Sequence, residues 1–296
     1  MSALLSSTFR SSHAVAWAVL CLFLTGGLVV TPAMAQSGGD SSLETLKQAF
    51  STGLQAAKQN NYETAYSELE RAYTLAQEAD QSNAARQIQE YLQKLPKQWG
   101  NEALKQKSYS NALMHFEKGT EHAPNDAYML YGQGLALVNL DSTDTAMQQM
   151  SQAIEVGNAN GDTRTAGLAT ERIRDEYVSR ASKALSGDSS TGANIDTALQ
   201  ALDQMREYVA PSAKSMFFRA LAYERQGDLE QAVETAREGL SMHQGSRSDA
   251  ARYHFVIAES QLRMGNTEQA CQTFQDAAFG NYKARSEHYL ENECEN

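Results

Sequence analysis

Proline, cysteine and basic residues are all scarce in this chain of 296 residues. Only four prolines occur, and because proline breaks helices, their scarcity beside a good supply of Ala, Gln, Glu and Leu predicts an all-helical protein. The 25 Lys and Arg side chains are outnumbered by 36 Asp and Glu, which gives a net charge of −11. This balance lacks the basic patch that nucleic-acid binding requires, so we expect no nucleic acid among the partners.

The motifs of common catalytic sites are also missing. The sequence has no Gly-rich phosphate loop and no G-x-S-x-G element. Ser189 stands in the polar stretch GDSS with no strand predicted before it, which favours a loop over a nucleophile. The cluster Glu287-His288-Glu291-Glu293 is only weakly similar to a metal site. The other histidines after residue 35 lack the H-x-x-x-H and H-E-x-x-H spacings of zinc sites, and they are His115, His122, His243 and His254. We therefore predict no enzyme, no catalytic residue, no cofactor and no metal.

Long apolar runs are missing everywhere except at the start of the chain. Arg10 precedes an apolar run from Ala14 to Val30, and Ala33 and Ala35 then form an A-x-A cleavage site. This order predicts a secretory signal peptide over residues 1–35. Because the run approaches the length of a membrane span, an uncleaved membrane anchor is the alternative.

The mature chain would begin at Gln36 with a flexible polar spacer, residues 36–42, and continue as one helical domain, residues 43–296. It has no second run long enough to cross a bilayer, so we expect no integral membrane span in it. We predict export to the periplasm, with release outside the cell as the alternative.

Two cysteines remain once Cys21 leaves with the signal peptide. Cys271 and Cys294 form an even pair in an exported chain, which predicts one disulfide. The alternative is two buried free thiols.

A helix-turn-helix pattern repeats between Trp99 and Ala153 with a period of 34 residues. Small residues recur at fixed places, where two antiparallel helices approach closely, and larger residues fill the space beside them. The spacing between corresponding residues exceeds one period at two places, and each excess predicts a long helix. The first covers Asn83–Lys107 and is kinked or interrupted near Pro96, and the second covers Thr163–Ser186. The residues that correspond across one period are Gly100 and Gly134, Ala112 and Ala146, Phe116 and Met150, and Gly119 and Ala153.

This period and these small residues resemble tetratricopeptide repeats, the TPR family. The resemblance covers nearly all of residues 43–296 in about six helix pairs, and a final helix over Tyr282–Asn292 is expected to cap the last pair. It implies an all-α, right-handed superhelical solenoid whose first helices line a concave groove. Members of the family usually bind peptides or segments of partner proteins rather than catalyse reactions.

The resemblance also implies which side chains line the groove. Nine of the mapped positions are Lys or Arg and two are acidic, which suggests a basic, aromatic-lined groove that attracts an acidic segment or a C-terminal carboxylate. The alternative is an ordinary solvated face on which long Lys side chains lie over the helix surface. The principal candidates are Lys94, Lys97, Asn101, Lys105, Tyr128, Tyr131, Lys214 and Arg225, and the further positions are Lys47, Lys58, Gln98, Asn139, Phe217, Phe218, Glu224, Arg252, Phe255, Glu259 and Arg263.

One pair of groove positions has a more specific parallel. Lys97 and Asn101 resemble the first half of the carboxylate clamp of some chaperone-binding members of the family. The second half is missing, because Gly132 stands where an Asn is needed.

The sequence therefore predicts an exported, non-enzymatic scaffold or adaptor that binds an unidentified protein or peptide in its groove. Two alternatives stay open: an envelope enzyme or enzyme activator without a recognisable motif, and a membrane-anchored structural subunit.

Overall fold

The computed structural model describes residues 39–186 and 192–294, and in these ranges the regular structure is helical throughout. The predicted signal peptide, its cleavage site and Ser189 lie outside the described residues. Within these two ranges thirteen α-helices follow one another, with a short 3₁₀ turn at Gly280–Tyr282 before the last. They are α1 Gly39–Lys58, α2 Tyr62–Glu78, α3 Ser82–Lys105, α4 Tyr109–His122, α5 Ala127–Asn139, α6 Thr143–Asn160, α7 Thr163–Ala184, α8 Gly192–Tyr208, α9 Ala213–Gln226, α10 Leu229–Met242, α11 Arg247–Arg263, α12 Thr267–Ala277 and α13 Lys283–Glu293.

The chain divides into two compact units between Leu95 and Pro96. In the first unit, α1, α2 and the start of α3 enclose a core in which Leu46, Leu69 and Ile88 are almost fully buried. A Cβ on Gly53 would lie 2.9 Å from Cγ of Leu69. This is the small-against-large contact that the repeat pattern predicts.

In the second unit, helices adjacent in sequence pack against each other as antiparallel pairs. The first helices of successive pairs, α5, α7, α9 and α11, also contact one another in that order. The repeats therefore form a helical-repeat solenoid, which confirms the predicted fold class.

Phe116 shows why the period needs small residues. Its ring is fully buried between Gly100 and Gly132, where a Cβ would lie 2.6 Å and 2.5 Å from the ring carbon Cζ. One period later, a Cβ on Gly134 would lie 2.6 Å from Cγ of Met150. No side chain beyond hydrogen fits at these positions unless the neighbour moves.

The turns between helices use the left-handed backbone conformation. Gly227 and Gly265 have φ of 90° and 83° in a Gly-Asp and a Gly-Asn turn, and Asn60 has φ of 57° in an Asn-Asn turn. Asn is one of the few residues other than Gly that tolerates this conformation well.

Several predicted boundaries differ from the structure. Helix α1 begins at Gly39, so part of the expected spacer, residues 36–42, is helical. Asp and Ser suit a first helical turn, and the Thr45 hydroxyl donates to the Ser41 carbonyl at 2.8 Å. The pattern also favours a helix over Ile195–Val209, whereas α8 covers Gly192–Tyr208.

Helix α3 runs through Pro96 without a break. A proline inside a helix removes one hydrogen bond and costs about 3 kcal/mol. Pro96 is buried, and its Cβ lies 3.1 Å from where a Cβ on Gly119 would stand. An interruption of the helix near Pro96 is therefore wrong.

The last helix covers the end of the repeat array. Tyr289 of α13 stacks on Phe274 with ring centroids 4.6 Å apart, and Phe255 lies in the same apolar cluster. The Cα atoms of Cys271 and Cys294 are 5.7 Å apart and their sulfur atoms lie at bonding distance. The disulfide remains a prediction.

Candidate functional site

The surface of the second unit that is formed by residues 96–105 of α3 and by α5, α7, α9 and α11 is called the first-helix face below. It carries most of the predicted groove positions. Two of those positions are not available to a partner, because Phe217 is 7% exposed and Phe255 is 2% exposed. Both rings belong to the core, so their assignment to the groove wall is wrong.

At the N-terminal end of the face, the predicted clamp residues bind the chain itself. Lys97 Nζ lies 2.8 Å from a carboxylate oxygen of Asp126 and 5.1 Å from the centroid of the Tyr128 ring. The Tyr128 hydroxyl donates to Asn101 Oδ1 at 2.9 Å. Asp126 also caps α5 by accepting from the Met129 amide at 3.1 Å. These contacts join neighbouring repeats.

Other candidate lysines pair within their own helix. Lys105 lies 3.7 Å from Glu102. In the first unit, Lys94 lies 2.9 Å from Glu90. Exposed pairs of this kind contribute about 0.3–0.5 kcal/mol and exchange readily with solvent.

Tyr131 provides half-buried aromatic surface on α5. Its ring meets Tyr128 edge to face, with centroids 6.5 Å apart. Burial raises the pKa of the Tyr131 phenol, partly offset by the positive charge of Arg172. The phenol is therefore neutral at physiological pH and offers a ring with a polar tip, a side chain common in protein interfaces.

Among the described residues, two polar contacts join α9 to α7 and to Leu185, which directly follows α7. Lys214 lies 3.6 Å from Asp175, and the Arg225 guanidinium donates to the Leu185 carbonyl. Between these contacts lies a cavity of about 330 Å³, called the α7–α9 cavity below. Its wall includes Asp175, Ser179, Ser182, Lys183, Lys214 and Phe218.

A second cavity, of about 380 Å³, lies beside the loops before α5 and α7. Its polar groups are bound to the chain. Asp126 pairs with Lys97, Asn160 donates to the Asn125 carbonyl at 2.9 Å, and Asp162 accepts from the Thr165 amide at 3.1 Å. Hydrogen bonds from Thr165 lower the pKa of Asp162.

At the C-terminal end, Arg263 pairs with Glu224, and the Arg252 guanidinium lies 5.2 Å from the centroid of Phe217. Glu259 accepts from the Tyr289 hydroxyl at 3.0 Å and pairs with Arg285 at 3.3 Å. Burial nevertheless raises the pKa of the Glu259 carboxyl.

The weakly metal-like cluster at the C-terminus engages other side chains of α13. Glu287 lies 3.7 Å from Lys283, and Asn292 contacts His288 Nδ1 at 3.1 Å. Neither contact brings the carboxylates of this cluster together as the ligands of one metal ion would be.

Sequence reasoning missed the carboxylates that accompany the predicted cations. Asp126 is a helix cap, Asp175 lies on a lengthened helix of a degenerate repeat, and Glu90 and Glu102 lie one turn before the lysine that each contacts. None of these four carboxylates stands at a position that lines the groove in the repeat family. The predicted groove residues therefore included the cations without their ion-pair partners. An i, i+3 or i, i+4 search would have found the two glutamates.

Within the described ranges, the structure contains no helix with the length and apolar character of a membrane span.

Comparison with known proteins supports the repeat assignment. Two overlapping stretches, residues 192–246 and 219–286, match the tetratricopeptide-repeat family. No functionally curated protein matches the sequence at a significant level.

Three solved structures similar to the chain are a MamA protein, MamA from Desulfovibrio magneticus and a thermophilic TPR protein from Thermus thermophilus. The first is 14% identical over 68% of this chain and 94% of its own, with a TM-score of 0.37. The second is 19% identical over 65% and 95%, with a TM-score of 0.34. The third is 17% identical over 66% and 97%, with a TM-score of 0.30. Similarity at this level carries no information about function.

Proposed function

We propose that the protein is an exported, non-enzymatic scaffold or adaptor that binds a protein or peptide partner on its first-helix face. The observation that carries the proposal is the character of this face. Partly exposed rings of Tyr128, Tyr131 and Phe218 lie among ion pairs that are already formed. Aromatic side chains provide large contact area, and ordered neighbours lower the entropy that binding removes.

The ion pairs also define what kind of surface a partner would meet. Each of Lys97, Lys214 and Arg263 has a carboxylate beside it. The face is therefore of mixed charge rather than uniformly basic. We propose that a partner binds through contacts with the aromatic rings, and that the charged groups fix the partner's position along the face at particular points.

Export is the second part of the proposal. The signal-like residues 1–35 support it, and so does the pair Cys271 and Cys294, because disulfides persist in oxidising compartments such as the periplasm. Mass spectrometry of the protein from cells tests it. A mature N-terminus at Gln36 in the periplasmic fraction is expected, whereas an intact N-terminus in the membrane fraction would support the anchored alternative.

Affinity purification from the envelope fraction tests the scaffold. We expect wild-type protein to recover a stoichiometric partner, and Tyr131→Ala with Phe218→Ala to lose it. Met114→Ala is the matched control, since Met114 is 45% exposed on α4, a second helix. Turnover of a cell-wall or peptide substrate by the pure protein without a partner would instead support the enzyme alternative.

A further inference from the structure

Helix α13 covers the C-terminal end of the first-helix face. Glu259 of α11 accepts a hydrogen bond from the Tyr289 hydroxyl at 3.0 Å and pairs with Arg285 at 3.3 Å. The Arg285 guanidinium also lies 4.2 Å from the centroid of the Phe255 ring. Glu259 and Phe255 were both predicted to line the groove, and α13 is the segment of the chain that occupies this part of it.

The noncovalent contact that holds α13 in place is narrow. Tyr289 stacks on Phe274 of α12 with ring centroids 4.6 Å apart, and Tyr282, just before α13, meets Phe255 at 5.1 Å. Of the eleven residues of α13, only Ser286 is buried. Attachment therefore depends mainly on a few aromatic rings and on the polar contacts with Glu259 of α11.

Helix α13 is also weak as a helix by itself. It has eleven residues, and isolated helices shorter than about 12–15 residues are marginal in water. Lys283 and Arg285 stand in its first turn and Glu291 and Glu293 in its last, the reverse of the charge order that the helix dipole favours. Tyr282 occupies the N-cap position, where Ser, Thr, Asp or Asn normally supplies the capping oxygen. The helical state of α13 therefore depends on its attachment to α11 and α12.

The predicted disulfide adds a covalent attachment at the C-terminal end of α13. Cys271 lies on α12, and Cys294 directly follows α13, with their Cα atoms 5.7 Å apart. With the bond formed, α13 is tethered at both ends, through the turn at Gly280–Tyr282 and through Cys294. Without the bond only the turn remains. Both cysteines are partly exposed, which gives a thiol in solution access to the bond.

We propose that the bond between Cys271 and Cys294 is a redox latch, which keeps α13 over the end of the first-helix face and which a dithiol reductant opens. A thiolate of the dithiol attacks one sulfur of the bond, forms a mixed disulfide and releases the other cysteine as a thiolate. The second thiol of the dithiol then displaces the remaining cysteine. Two electrons and two protons pass to the cysteines, and the dithiol leaves as a disulfide.

Opening of the latch changes the surface of α11. Arg285 and Tyr289 leave Glu259, and the Phe255 ring loses its cover. The earlier helix pairs keep their packing, because each repeat contacts only its neighbours. The first-helix face is then exposed to the end of α11. This inference goes beyond the proposed function, since it describes a regulatory device that can be observed without a partner.

Hydrogen exchange measured by mass spectrometry tests the latch on protein purified from the envelope fraction. Oxidised wild type is compared with the same protein in dithiothreitol, and Cys271→Ser with Cys294→Ser is measured in both conditions. We expect reduction to speed exchange of the α13 amides by about tenfold or more and to leave α9 and α10 unchanged. The double serine variant should exchange as fast as reduced wild type, with or without dithiothreitol.

A charge variant tests whether α13 is weak for the reason given. Glu291→Lys places a favourable charge in the last turn of α13 and should slow its exchange in the reduced protein by about two- to fivefold. Glu234→Lys is the matched control, because it makes the same change of charge at an exposed site on α10 and should leave α13 unchanged. Equal rates in the two variants would contradict the weakness on which the latch depends.

Three further outcomes would overturn the proposal: exchange of α13 that dithiothreitol does not change, equal acceleration in α9, α10 and α13, or slow exchange of α13 in the double serine variant. If the latch fails while the envelope partner is still captured, only this inference falls. If the latch opens as expected and no partner is captured, the scaffold falls and the latch stands.

Discussion

The Phe116 ring occupies the space that a side chain at Gly100 would need, with Cζ 2.6 Å from an ideal Cβ at that position. This contact links the sequence period to the packing of α3 against α4. The corresponding contact between Gly134 and Met150 shows that the relationship recurs one repeat later.

Gly100→Ala should therefore destabilise the protein although it improves helix propensity. Overpacking costs about 1–3 kcal/mol, and the propensity gain of Ala over Gly is about 1 kcal/mol at most. Gly167→Ala is the matched control, because Gly167 lies on α7 and a new Cβ there would have no atom of another helix within 4 Å. Urea unfolding should show a loss at position 100 and a gain of about 0.5–1 kcal/mol at position 167. A gain at both positions would refute the packing argument.

The contact between Lys97 and Asp126 should contribute less to stability than the helix cap that Asp126 also provides. Asp126→Ala removes both and should cost about 1–2 kcal/mol, whereas Lys97→Met should cost less than about 1 kcal/mol. The pair is partly exposed, at 37% and 25%, so a double-mutant cycle should give a coupling below about 1 kcal/mol.

Asp228 is the control for this cycle. It caps α10 by accepting from the Gln231 amide at 3.4 Å and forms no salt bridge with a described residue. Lys97→Met should not change the cost of Asp228→Ala. A coupling with Asp228 as large as that with Asp126 would mean that Lys97 acts on the whole repeat rather than on its ion-pair partner.

The predicted disulfide should stabilise the C-terminal cap. The chain-entropy model assigns a loop of this length roughly 3 kcal/mol. Cys271→Ser with Cys294→Ser should lower the free energy of unfolding by up to that amount. Reductant should destabilise the wild type and leave the double variant unchanged. Labelling of two thiols per mature, unreduced protein under denaturing conditions would contradict the bond.

His115 should make stability fall on mild acidification. It is 7% exposed and meets Trp99 with ring centroids 5.9 Å apart, and burial lowers the pKa of its imidazole from the ordinary 6.5. The unfolded chain therefore binds a proton more readily than the folded one, so the stability from neutral His115 is present above pH 6.5 and is lost as pH falls through the lower folded pKa.

Thermal unfolding between pH 7 and pH 5 checks this expectation. His115→Gln should reduce the dependence of Tm on pH without abolishing it, because burial also lowers the pKa of His254. The wild type is the reference. An equal slope in the variant and the wild type would exclude a contribution from His115.

The sequence predicted the parts of the fold that follow from local periodicity. The period placed small residues such as Gly100 where two helices approach closely, with larger residues filling the space beside them, and Phe116 does fill that space. The long helix from Thr163 was also confirmed, ending at Ala184 rather than Ser186. These features depend on residues close in sequence or on a repeated contact, so one chain contains enough information to find them.

The site was harder to predict because it depends on which long side chains meet. The resemblance to the repeat family implied that Phe217 lines the groove wall, but the packing of α11 against α9 buries its ring. The groove positions of the family likewise could not show that the Asp126 carboxylate pairs with Lys97, which lies 29 residues earlier in the sequence. The α7–α9 cavity arises within a degenerate repeat, where the family pattern gives no guidance.

The most direct test of the proposed function is photo-cross-linking in living cells with a benzoylphenylalanine at one position at a time. Tyr131 and Phe218 report on the first-helix face. Met114 and Met242, 45% and 40% exposed on the second helices α4 and α10, are the controls. We predict one adduct of the same mass from Tyr131 and Phe218 and none from the controls. Adducts from Met114 and Met242 alone would contradict binding on the first-helix face.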